Sequence, residues 1–134
     1  MRVEYINPFV ETSYRVLKEV LGGIDVKRGE LSLKSVAMPV MGVAALVGLA
    51  GDVEGRVLFD MSFQTALNVA SKMNGETITQ FDDLAKATIS ELANLITAQA
   101  VTKLLLQYIL LVLELSASAF SIINVCSLFS FYML

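Results

Sequence analysis

Residues 79–103, TQFDDLAKATISELANLITAQAVTK, constrain this chain most, because their apolar residues recur on a helical period and not on a strand period. At 3.6 residues per turn, Ala85, Ile89, Leu92, Ile96 and Ala100 fall on one side. Leu84, Thr88, Leu95 and Gln99 flank that stripe. Thr79 is the expected N-cap, with Asp82 three residues on in the place of a capping-box acid. Asp82 and Asp83 put negative charge in the first turn, where it suits the helix dipole. The opposite side carries Asp83, Ala87, Ser90, Glu91, Asn94, Thr97 and Ala98 and is expected to face outward.

On that outer side Glu91 and Asn94 are three residues apart and therefore neighbours on the helix surface. Ala87 and Ala98 lie beside them with almost no side chain. A carboxylate and a carboxamide thus stand on a low-relief patch that a partner can approach closely. Taken alone, the pattern reads as an ordinary solvated helix face.

The remaining chain supplies a sheet and two more helices. Asn7 and Pro8 predict a helix start, Asn as N-cap and Pro at the first helical position. Phe9, Ser13, Val16, Leu17 and Val20 would be its inner stripe, and Gly22-Gly23 its end. Glu11, Arg15, Lys18 and Glu19 would face water, with no role beyond solubility. Residues 31–38 alternate nearly on a strand period. Residues 41–50 and 56–61, joined by GDVEG, read as a β-hairpin with Val57, Phe59 and Met61 on one face. That turn lacks the lysine and the strand-to-helix setting of a phosphate-binding loop. Ser62 should cap a second helix with Phe63, Ala66, Leu67, Ala70 and Met73 inward, and Gly75 should close it.

A chain of 134 residues reads as one domain with a single core, 1–134. Its net charge of −3 and sequence pI of about 4.9 offer no basic stripe for nucleic acid. With no histidine and one cysteine, Cys126, His-based triads, His metal sites and internal disulfides are excluded. The N-terminus has no apolar signal region, so a cytoplasmic location is expected.

The segment SELANLITAQA, preceded by GLAGDVEGRVLFDMSFQTALNVASKMNGE, resembles the CheC/CheX/FliY family of chemotaxis phosphatases, and its CheX branch most closely. The family motif is an acid, two residues, then an asparagine on a long exposed helix; here it is Glu91-Leu92-Ala93-Asn94. The Gly48, Gly51 and Gly55 pattern, the helix from Phe63 to Met73 and Asn74-Gly75 add to the likeness, which spans about residues 4–103. One motif helix is present, as in CheX-like members, where CheC-like members carry two. The fold this implies is α/β, α+β in detail: helices packed on a mainly antiparallel sheet with a long exposed motif helix.

The resemblance implies hydrolysis of the phosphoaspartate of a CheY-type response regulator. Asn94 would orient the attacking water, and Glu91 would dock the receiver lysine, with Ala87, Ser90 and Ala98 in the docking face. No cofactor or metal of the chain's own is implied; Mg²⁺ comes with the partner receiver. A homodimer is implied as well. The family often has Asp or Ser four residues before the acid, where this chain has Ala87, and Ser90 points about 100° away from Glu91. The alternative from another class is a receiver-binding or dimerising module without catalysis.

Residues 104–134 are a different material, an apolar tail whose only charge is Glu114. Buried strands and a helix end, a membrane segment, and an altered reading frame all fit it, the membrane segment least well. The proline that the family carries downstream is absent, with Ser116 near its place.

Overall fold

In a computed structural model, residues 3–27, 29, 39–50 and 55–118 are described. The elements run α1 (Val3–Val20), β1 (Val43–Leu49), β2 (Gly55–Met61), α2 (Phe63–Asn74) and α3 (Asp83–Ser118). The strand expected at 31–38 and the hairpin turn at 51–54 lie outside the described residues, as does the tail beyond Ser118.

The two strands pair antiparallel, with Val43 opposite Met61, Leu46 opposite Leu58 and Leu49 opposite Gly55. Strand alternation turns Val43 and Val57 inward, with Ala45, Phe59 and Met61 packed behind them, and leaves Leu46 and Leu58 on the outer face. Helices cover the inner face. Val16 and Leu21 from the α1 side, Ala66 and Val69 of α2, and Ile89, Leu92 and Ile96 of α3 close the core over Val43. The expected α+β arrangement of helices on an antiparallel sheet is what forms.

α1 begins earlier than its sequence signals indicate. Val3 is already helical, so Asn7 is no cap and Pro8 lies inside the helix. Pro8 gives up one backbone hydrogen bond there, and its ring, among the most deeply buried side chains, recovers part of that loss. The helix ends as expected at Gly22 and Gly23, whose φ of 72° and 80° lie in the left-handed region. Val16 is buried as expected, whereas Phe9 and Ser13 are only half-buried.

Glu11 and Arg15 do more than keep α1 soluble. Arg15 donates from its guanidinium to Gln99 Oε1 at 2.7 Å, and Glu11 pairs with Lys103. Rising numbers on α1 meet falling numbers on α3, so the two helices run antiparallel.

α2 follows its sequence signals at both ends. Ser62 is extended (φ −65°, ψ 155°), and its Oγ accepts the Thr65 amide. Gly75 closes the helix at φ 69°. Ala66, Val69 and Ala70 are buried. Phe63 is a correction. It is exposed, because its place at the first turn sets the ring against the Gly42 backbone and edge-on to Phe81, at 5.9 Å and 81°. A Cβ on Gly42 would stand 3.0 Å from the Phe63 nitrogen and 3.1 Å from its ring, so this close approach favours glycine.

Among the described residues, no helix is long and apolar enough to cross a membrane.

Candidate functional site

The N-terminal cap of α3 is Asp82 rather than Thr79. Its Oδ1 accepts the Ala85 amide at 2.9 Å, three residues on, which is the reach of a side-chain cap. The helix then outruns its expected end at Lys103 and continues to Ser118. No Gly or Pro interrupts residues 104–118, and Leu, Gln and Glu there are good helix formers.

Ala85, Ile89, Leu92, Ile96 and Ala100 are all buried, as the period predicts, and Ala93 and Leu104 join them. The outer side holds Ala87, Ser90, Glu91, Asn94 and Ala98, every one of them exposed. Thr97 departs from the expected outer set. It is 4 % exposed, since the buried stripe is widened by the packing of α1 along α3. Thr12 on α1 is equally buried, and neither hydroxyl finds a partner among the described residues.

Glu91 and Asn94 stand one turn apart, so their Cβ atoms are about 5–6 Å from one another. Ala87 lies one turn before Glu91 and Ala98 one turn after Asn94, which leaves flat ground on either side. Ser90 sits at the edge of this face. Neither Glu91 nor Asn94 makes a hydrogen bond or ion pair with other described residues, so both polar groups are available to a partner. Between them Leu92 and Ala93 are anchored in the core at 3 % and 2 % exposure, which makes the face a rigid platform.

One inter-helix bond braces the platform from behind, and nothing in the sequence signals it. Asn74, at the end of α2, donates from Nδ2 to Thr88 Oγ1 at 2.8 Å, while the Thr88 hydroxyl donates to the Leu84 carbonyl. In sequence Asn74-Gly75 reads only as a helix end, and a contact spanning fourteen residues leaves no local pattern. Ile78 N donates to Ser71 Oγ at 2.9 Å and pins the connecting loop back onto α2.

Among the described residues there is no group of three or more His, Cys, Asp or Glu side chains that could hold a metal ion. Chemically the face offers one anionic acceptor and one neutral donor-acceptor, rigidly spaced. That pair can bind a cation and position a water molecule.

The sequence profile of the family described as "Chemotaxis phosphatase CheX" matches residues 43–118, the stretch that holds the hairpin, α2 and α3. The chain is 31% identical over 105 residues to the "CheY-P phosphatase CheX" of Thermotoga maritima, covering 78% of this chain and 67% of that protein. Its fold is similar to that in the "CheX-CheY-BeF3-Mg+2 complex from Borrelia burgdorferi", a crystal structure, with a TM-score of 0.66 and 40% identity. That match covers 76% of this chain and 67% of the other.

Proposed function

The chain belongs to the chemotaxis phosphatase CheX family, and on that premise we propose that it hydrolyses the phosphoaspartate of a CheY-type response regulator, in chemotaxis or a related two-component pathway. The observation that carries this reading is the pair Glu91 and Asn94, exposed, unpartnered and one turn apart on the rigid α3. We read the whole chain, 1–134, as a single CheX-like domain.

Hydrolysis of an acyl phosphate needs a water molecule in line with the bond to be broken, and charge neutralisation at the phosphoryl oxygens. The water oxygen bonds to phosphorus, the bond to the aspartyl oxygen breaks, and aspartate and inorganic phosphate result. Mg²⁺ bound in the receiver supplies the charge neutralisation. This chain's residues supply position. The Asn94 carboxamide holds the water by hydrogen bonds without repelling the anionic phosphoryl group. Glu91 accepts a charge-assisted hydrogen bond from the receiver's active-site lysine and so fixes where Asn94 stands. Ala87, Ser90 and Ala98 surround the pair and let the receiver come close. The chain needs no cofactor or metal of its own for these roles. It works in the cytoplasm, where its substrate resides, and as a homodimer.

The test is the decay of a phosphorylated CheY-type receiver in Mg²⁺ buffer, with and without the protein and its Asn94→Ala variant. Acceleration that disappears in the variant supports the reading; parent-rate hydrolysis by the variant overturns it. Binding without acceleration by the parent protein identifies a docking module, the outcome that Ala87 in place of an acid or serine favours.

A further inference from the structure

The outer face of α3 extends beyond the catalytic pair, and its N-terminal end is apolar. Leu84 precedes Glu91 by seven residues, two turns of helix, and lies within about 20° of it around the axis. It is 44 % exposed and stands at the Glu91 edge of the face that carries Ala87, Asn94 and Ala98. Phe81, three residues before Leu84, holds Phe63 edge-on, and Phe63 is 56 % exposed. Farther along the same face, on the other side of the pair, Leu105 is also exposed.

The size of a docked interface decides between the two ends. A specific protein–protein contact covers about 800 Å² per partner, a disc of about 16 Å radius. Centred midway between Glu91 and Asn94, such a disc takes in Leu84, about 13 Å away along the axis, and stops short of Leu105, about 19 Å away. Two polar side chains and a few alanines contribute little apolar burial inside that disc. Interface energy concentrates in a few large side chains near the centre.

We infer that Leu84 is the apolar anchor by which the docked receiver is selected and held, so that the receiver presents an apolar side chain about 13 Å along α3 from the midpoint of Glu91 and Asn94. This rests on the catalytic reading of Glu91 and Asn94. Leu84 determines specificity; it touches neither the water nor the phosphoryl group.

The test measures Kd for a beryllofluoride-activated CheY-type receiver, together with KM and kcat for receiver dephosphorylation. Leu84→Ser should raise Kd and KM about tenfold while kcat stays within about twofold. Leu84→Met should keep the parent affinity, and Leu105→Ser should change neither constant. An unchanged Kd for Leu84→Ser overturns the inference, as does a larger effect from Leu105→Ser. Should Leu84→Ser fail to fold, a tenfold loss of affinity in Leu84→Gln that Leu84→Met lacks supports it, and equal affinity of the two overturns it. Asn94→Ala separates this failure from failure of the catalytic reading: it should lose kcat and keep Kd. Parent-level kcat in that variant removes the catalytic site, whatever Leu84 does.

Discussion

Glu91 and Asn94 are polar groups that their own fold does not use, and each should fail in its own way when removed. Asn94→Ala should lower kcat about a hundredfold, the usual cost of losing one positioned group in a transition state, with the receiver's Kd unchanged. Glu91→Ala should raise KM about tenfold, because the acceptor proposed for the receiver lysine is removed, and should lower kcat as the docking geometry loosens. Stopped-flow decay of phosphorylated receiver measures both; parent constants in Glu91→Ala remove that residue from the mechanism. Thr97 obeys a different logic. Its hydroxyl is buried without a partner, so it pays for desolvation and gains no bond. Thr97→Val keeps the shape and removes the oxygen, and should stabilise the fold by about 1 kcal/mol in chemical denaturation. A fall in stability would mean that the hydroxyl is satisfied.

At the scale of elements, α3 is the part that was most and least legible in the sequence. Its inner stripe could be read because burial against a sheet imposes the 3.6 period on Ala85, Ile89, Leu92, Ile96 and Ala100. Its start was misplaced at Thr79 because two residues with capping side chains compete there, and only Asp82 reaches the Ala85 amide. Thr97 departs from its pattern because tertiary packing leaves no trace in the helix's own sequence, and Pro8 departs because α1 already begins at Val3, ahead of the cap-like Asn7. Phe63 looks like core by composition and is exposed by position. The pair Glu91 and Asn94 is itself ordinary by pattern, and only resemblance in the surrounding residues singles it out. Since Asp82 fixes where α3 begins, Asp82→Ala should cost about 1 kcal/mol of stability. Asn74→Ala should cost a similar amount by leaving Thr88 Oγ1 without its donor. Thermal melts check both, and the losses should add within about 0.5 kcal/mol, since the cap and the brace share no atoms. A strongly non-additive double variant would show that the brace acts through the cap.

For the whole molecule, the described elements leave two apolar surfaces uncovered. Leu46 and Leu58 face out from a two-stranded sheet, and α3 carries exposed Leu106, Ile109, Leu110 and Val112 well past its contacts at Arg15 and Glu11. Each such side chain removed from water stabilises an association by about 1.5–3 kcal/mol before the cost of bringing molecules together. The distal patch begins outside the receiver footprint proposed around Glu91 and Asn94, so self-association there and receiver docking need not compete. Two consequences follow that can be measured on one set of samples. Sedimentation velocity of the parent protein should show species larger than a monomer, growing with concentration. The triple variant Leu106→Gln, Ile109→Gln, Leu110→Gln should shift that distribution toward the monomer, while the Kd for beryllofluoride-activated receiver stays at the parent value. A parent that remains monomeric at high concentration would show that these surfaces are covered within one chain. A triple variant that loses both association and receiver binding would make the α3 face a single shared surface, with the receiver completing its site only on the assembled form.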